Sequence, residues 1–148
     1  MATFVILHNI RSAHNVGSIF RTSDGAGVAK IYITGYTPAP IDRFGRENTE
    51  IAKTSLGATQ TVSYEVVEDV AVVIKSLKET GVQIVAVEQT DRAVDYTKFE
   101  QVGDVAFIFG NEITGVEKDV LEESDAHIQI PMSGAKESLN VSVCAGVV

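Results

Sequence analysis

The sequence predicts an α/β domain built on a mostly parallel sheet flanked by helices, and three observations predict it. Short β-branched runs recur along the chain with helical stretches between them. Runs such as VAFIF (105–109) and QIVAV (83–87) are apolar on both faces, as strands covered on both sides must be. The 148 residues, 45% hydrophobic and 22% charged, suit one substantial core.

The elements follow in order. A strand over 3–7 opens the chain, and NIRSAHNVGSIFRT (9–22) begins as a loop and passes into an amphipathic helix over 15–25. A strand over 30–34 leads into GYTPAPIDRFG (35–45), the one long irregular loop, with two prolines and two aromatics, which reads as a lid or substrate-contact loop. Helix 49–56, strand 61–64, helix 67–80 and strand 83–87 come next. Strand 105–109, helix 116–123, strand 127–130 and helix 138–148 complete the set. No linker, internal repeat or low-complexity segment divides the chain, so one domain is expected over 1–148.

Composition narrows the function classes. No apolar run approaches the roughly 20 residues of a membrane span. The start, MATFVILHNI, has neither a basic leader nor a small-residue cleavage pattern, so a cytoplasmic location and no membrane partner are expected. The single Cys144 excludes an intramolecular disulfide and a cysteine-based zinc site. The net charge of −8 argues at first against a nucleic-acid partner. The charge is uneven, however: residues 1–60 carry six basic against four acidic side chains, and residues 61–148 six against sixteen. That asymmetry fits an anion-facing first part and a solubilising remainder, or chance clustering equally.

Ligands of open α/β sheets bind beyond the carboxyl ends of the strands. Four segments qualify: 8–15, 88–91, 110–115 and 131–140. No Walker A ending is present, and DGAGVAK lacks the third glycine of a dinucleotide fingerprint and precedes a strand. His8, His14 and His127 have no carboxylate or thiol at metal-ligand spacing, so no metal is expected. No serine-histidine-aspartate arrangement or nucleophile elbow appears. What remains is FIFGNEITGVE and IPMSGAKESLNVSVCAG. In the first, Gly110 permits close backbone approach to a ligand. Glu112 reads equally as a group orienting another loop and as a helix N-terminal carboxylate. In the second, Ile130, Met132 and Leu139 offer an apolar wall or simple core, and Ser138 reads chiefly as the N-cap of the last helix.

Taken in order, NIRSAHNVGSIFRT, FGNEITGV and IPMSGAKESLNVSVCAG closely resemble the three motifs of SpoU/TrmH-type RNA 2′-O-ribose methyltransferases of the SPOUT superfamily, and KTSLGA (53–58) resembles a further family segment. The resemblance implies a C-terminal deep trefoil knot, S-adenosylmethionine bound in it, and a homodimer whose RNA site, for tRNA or rRNA, is built from both chains. The chain stops at Val148, where relatives usually continue the last helix, so a short plug or an incomplete C-terminus is expected. No appended RNA-binding domain is expected either.

The same resemblance assigns roles. Asn15 and Arg21 match catalytic positions, Arg21 the principal one, and Glu112, Ser138 and Asn140 match the other polar site residues. Gly110, Ile130 and Leu139 match cofactor-holding positions, joined by Met132 on the apolar wall and by Thr90 nearby. A guanidinium keeps its proton at physiological pH, so Arg21 is expected to hold a phosphate bidentately and stabilise oxyanion charge rather than act as a base. Six residues separate Asn15 from Arg21, about 600° of helix, so they do not share a face. Asn15 is expected at the helix entrance, with Arg21 reaching back along the helix toward the same crevice. Without the other motifs, an N-cap Asn15 and a surface Arg21 read equally well. Arg11, Arg43, Arg46 and Lys53 are candidate phosphate contacts and Tyr36 and Phe44 candidate base-stacking groups, or else an ordinary solvated loop. The competing functions are a non-catalytic RNA- or ribosome-binding member of the fold, a base-directed SPOUT methyltransferase, and a general nucleotide-binding module.

Overall fold

The computed structural model describes residues 1–148, and seven parallel strands form its single sheet in the order β3-β2-β1-β6-β4-β7-β5. The strands are β1 (Thr3–His8), β2 (Lys30–Thr34), β3 (Tyr64–Val66), β4 (Gln83–Val87), β5 (Val94–Asp95), β6 (Val105–Phe109) and β7 (Ala126–Gln129). The helices are α1 (Ala13–Ala26), α2 (Thr49–Ser55), α3 (Ala58–Thr61), α4 (Val70–Glu79), α5 (Lys118–Glu123) and α6 (Val141–Val147). The registers Val5↔Phe107 and Val85↔Phe107 place β6 between β1 and β4 at the centre. No helix is long and apolar enough to cross a membrane.

Two apolar clusters cover the two sheet faces, which is why the central strands carry little polarity. Val5, Leu7, Ile31, Ile33, Val85 and Phe109 pack with Val16, Ile19 and Phe20 of α1. Ile6, Ile84, Ala106 and Ile108 pack with Val73, Ile74 and Leu77 of α4 and Val120 of α5. Alternate residues of one strand point to opposite faces, so each central strand feeds both clusters.

Gly17 explains the glycine inside α1. A Cβ there would collide with the Thr54 hydroxyl and lie 2.7 Å from the Ile51 carbonyl, so α1 and α2 approach closely only because the side chain is missing. On α1's other flank lies α6, with Gly146 beside Thr22.

The expected strand over 61–64 is corrected: residues 58–61 form α3, and the strand, β3, starts three residues later at Tyr64. Leu56 and Gly57 both adopt left-handed backbone (φ 48° and 87°), which breaks α2 and restarts a short helix. β5 has two residues, too short to leave a pattern in sequence. Helix α1 begins at Ala13, two residues earlier than expected, because Ser12 caps it by accepting from the Asn15 amide at 3.1 Å. Helix α5 likewise starts at Lys118 rather than 116. The last helix starts at Val141 rather than 138, and Asn140, not Ser138, is its N-cap.

Candidate functional site

The segments following β4, β6 and β7 meet at the carboxyl edge of the sheet around a cavity of about 190 Å³, and Glu112 ties the β1–α1 turn to its wall. Its walls include Glu88 and Gln89 after β4, residues 110–115 after β6, and Ile130, Met132, Ser138 and Leu139 after β7.

The wall after β6 is a tight loop. Asn111 and Gly115 exchange backbone hydrogen bonds at 3.2 and 2.9 Å, and the Asn111 Oδ1 accepts from the amides of Ile113 and Thr114. A Cβ on Gly110 would sit 2.5 Å from the Gly115 carbonyl, so glycine is required for the loop to fold back. Through its Nδ2, Asn111 also donates to the Asn9 carbonyl and the Tyr36 hydroxyl, at 3.1 and 2.9 Å. The exposed Tyr36 ring is thereby fixed beside the cavity loop.

Glu112 joins this loop to the first motif. Its carboxylate accepts from the Arg11 amide at 2.9 Å and from the Ser12 amide at 3.2 Å, with the Asn15 Nδ2 more distant at 3.4 Å. Burial pushes its carboxyl up, but the amides of Arg11, of Glu112 itself and of Ser12, with the Asn15 side chain, together outweigh that and hold it below the ordinary carboxylate range. The buried Asn15 in turn accepts from the Asn140 Nδ2 at 3.3 Å. Glu112, Asn15 and Asn140 thus form one hydrogen-bonded chain from the loop after β6 through the first turn of α1 to the cap of α6. Of the two readings open for Glu112 in the sequence, the geometry selects the loop-orienting one, because its contacts are to the β1–α1 turn. Asn15 sits inside the first turn of α1 and does not cap it.

Gly110, Ile130, Met132 and Leu139 all line the cavity, and Ser138 stands exposed at its edge. Thr90 does not line it. Its hydroxyl lies 2.7 Å from the His127 Nδ1, while the His127 Nε2 meets the Leu121 carbonyl at 2.9 Å. The carbonyl can only accept, so Nε2 carries the proton and Thr90 donates. Cys144 lies at the back of the cavity, its thiol pushed up to about 11 by burial and secondarily by Glu88, so it is no nucleophile at neutral pH.

Arg21 is not brought to this cavity within the chain. The buried face of α1 holds Asn15, Val16, Ile19, Phe20 and Ser23, and Arg21 points away from it, exposed and without an ion pair. It stands about 9 Å further along the axis than Asn15, directed to solvent. The expectation that its side chain reaches back to the same crevice is therefore corrected: the helix phase set by the core turns it outward. Arg11, Arg43 and Lys53 are also exposed. Arg43 and Arg46 lie 4.9 and 5.0 Å from the Phe44 ring, which is itself exposed. Asp42 orders that loop by accepting from the Phe44 and Arg46 amides and pairing with the Arg46 Nε at 2.9 Å. The histidines do not cluster, and no group of three or more His, Cys, Asp or Glu side chains is placed to hold a metal ion.

Three residues at the site were not singled out as site residues in the sequence: Asn111, Glu88 and Gln89. An asparagine following a glycine at a tight turn is a signal for the first. The other two carry only their position after a strand.

Residues 2–148 match the model of the SpoU rRNA methylase family. The chain is 34% identical over 144 residues to the 23S rRNA (guanosine-2′-O-)-methyltransferase RlmB of Neisseria meningitidis, covering 97% of this chain and 55% of that protein. It is 36% identical to a putative TrmH family tRNA/rRNA methyltransferase of Staphylococcus haemolyticus, covering 99% and 56%. Among solved structures, an AdoMet-bound rRNA methyltransferase of Sinorhizobium meliloti superposes with a TM-score of 0.88 at 27% identity, over 99% of this chain and 53% of that one. The A. aeolicus TrmH/SpoU tRNA modifying enzyme gives 0.84 at 29%, over 98% and 70%. The chain spans about half the length of the curated relatives it matches.

Proposed function

The chain belongs to the SpoU rRNA methylase family, and from that premise we propose that it transfers a methyl group from S-adenosylmethionine to a ribose 2′-hydroxyl of RNA. The observation that carries this reading is the chain of Glu112, Asn15 and Asn140, which ties the loop after β6, the first turn of α1 and the cap of α6 together beside the cavity lined by Gly110, Glu112 and Leu139. The printed descriptions of the N. meningitidis and S. meliloti relatives support the reaction and the cofactor.

The residues present fit the cofactor. Gly110 lines the cavity without a side chain and lets the loop after β6 fold back on Gly115, while Ile130, Met132 and Leu139 supply an apolar wall for an adenine. When bound, S-adenosylmethionine supplies an electrophilic methyl group on a sulfonium. This chain's residues then have to present the 2′-oxygen in line with it, and most of the rate comes from that positioning. Glu112, Asn15, Ser138 and Asn140 are the polar groups that orient the ribose. Arg21 grips a substrate phosphate bidentately and stabilises charge developing on the oxygen. The hydroxyl proton leaves through that phosphate or through water.

Because Arg21 faces away from its own cavity, the reading requires a homodimer in which Arg21 of one chain faces the cavity of the other. RNA, whether rRNA or tRNA, is met by Arg11, Arg43, Arg46 and Lys53, with Tyr36 and Phe44 as stacking surfaces. The chain is one SPOUT domain. Residues 131–140 carry α6 from beside the sheet edge back to α1, the kind of return a C-terminal knot needs.

The test is incubation with methyl-labelled S-adenosylmethionine and cellular RNA, followed by digestion to nucleosides. The expected product is a 2′-O-methylated nucleoside. Label on a base would overturn the ribose assignment, and cofactor binding without transfer would overturn catalysis.

A further inference from the structure

Two adjacent side chains at the end of β4 each hold one wall of the cavity. Glu88 accepts from the Val116 amide through Oε2 at 2.9 Å, and passes so close to Gly115 that any Cβ there would strike it. Gln89 donates from Nε2 to the Glu137 carbonyl at 2.7 Å.

The two walls are secured very differently. The loop at 110–116 has the Asn111–Gly115 bridge, the Asn111 side-chain turn and the Glu88 contact. Residues 131–139 contain no helix or strand and are mostly exposed, and their one hydrogen bond to the rest of the chain is the one from Gln89. Met132 and Leu139 belong to this segment, yet Leu139 is 38% exposed, so apolar packing alone does not pin it. The next anchor is at Asn140, where the 3.3 Å contact to Asn15 begins α6.

We propose that Gln89 is a positioning residue whose amide holds the 131–139 segment against the cavity and thereby sets the affinity for the methyl donor. This rests on the reading of the cavity as the S-adenosylmethionine site. The segment supplies Met132, Ser138 and Leu139 to the cavity wall, so a ligand there must first find the segment closed. Without the tether, the closed form becomes a minor conformer and apparent affinity falls by the fraction lost. A single neutral hydrogen bond of this kind corresponds to a change of about fivefold.

The segment carries its own reporter, because Lys136 is the only lysine or arginine after Lys118. The experiment compares the full chain with Gln89→Met, which keeps length and apolar contact but has no donor, and with Gln89→Ala. The fivefold change in closing divides between two readouts, so tryptic cleavage after Lys136, without ligand, is expected to be about twofold faster in both variants at an unchanged thermal midpoint. The dissociation constant for S-adenosylhomocysteine is expected to rise by a similar factor. Cleavage at the wild-type rate would overturn the proposal. So would weakened binding with unchanged cleavage, which would make Gln89 a direct ligand contact instead. If the wild type bound no S-adenosylhomocysteine, the methyl-donor reading would fall, and with it the role in affinity. That failure is distinguishable, because the cleavage comparison needs no ligand.

Discussion

Glu112→Gln is the substitution whose cost can be worked from the structure. The carboxylate accepts from two consecutive amides, of Arg11 and Ser12, at the entrance to α1. Glutamine that keeps its oxygen at the Oε1 position still faces both amides but turns an NH₂ toward the Arg11 amide in place of Oε2, so the shorter charge-assisted bond is lost and a donor faces a donor. A hydrogen bond to a charged group contributes about 1.5–3 kcal/mol, and discounting for partial exposure leaves about 1–2 kcal/mol. For a domain of this size that is a fall of about 2–8 °C in Tm. The pH dependence follows from the depressed carboxyl. A carboxyl lowered by folding stabilises fully above its unfolded value of about 4.3, and the stabilisation is lost as pH falls through the lower folded value. The gap between wild type and variant is thus expected to be constant from pH 7 to 5 and to narrow below about pH 4. Thermal unfolding followed by circular dichroism at pH 7, 5 and 3 measures it. Equal melting at pH 7, or an undiminished gap at pH 3, would refute the role given to those two bonds.

Gly110→Ala places a methyl 2.5 Å from the Gly115 carbonyl, so the loop must shift; a loss of about 1–3 kcal/mol in stability and of measurable S-adenosylhomocysteine binding by calorimetry are expected. Arg21→Lys is expected to keep RNA affinity in a filter-binding assay while turnover falls about 100-fold, because an ammonium cannot reproduce the bidentate grip. For Cys144, with its thiol pushed up to about 11, iodoacetamide alkylation followed by mass spectrometry should keep accelerating with pH beyond 9, where an ordinary thiol has levelled off.

The sheet was legible because burial on both faces leaves a plain trace. Strands 30–34, 83–87 and 105–109 have the same bounds in sequence and structure, each having an apolar interior. Where two conformations compete locally, the trace fails. TVSY (61–64) reads as strand, yet the left-handed pair at Leu56 and Gly57 starts α3 first, which takes Thr61, and β3 begins only at Tyr64. Ser138 and Asn140 are both good capping residues, and the extended path of the segment before α6, invisible in sequence, gives the role to Asn140. At the site, the motifs identified Asn15, Glu112 and Asn140, which the fold does join. Arg21 shows the opposite case. Its distance from the cavity depends on helix phase, which Ser12 sets by starting α1 two residues early and the core fixes through Val16, Ile19 and Phe20. Gln89 leaves no pattern in sequence because its partner is a backbone carbonyl 48 residues away.

Subunit complementation tests most directly whether the reacting groups come from two chains. Arg21→Ala chains keep the cavity, and Leu139→Asp chains keep Arg21 but spoil the apolar wall. Each alone is expected to be inactive. Co-expressed in equal amounts, half of the dimers would be mixed and each would contain one intact composite site, giving about a quarter of wild-type methyl transfer per chain. Activity no higher than that of the separate variants would contradict a site shared between chains.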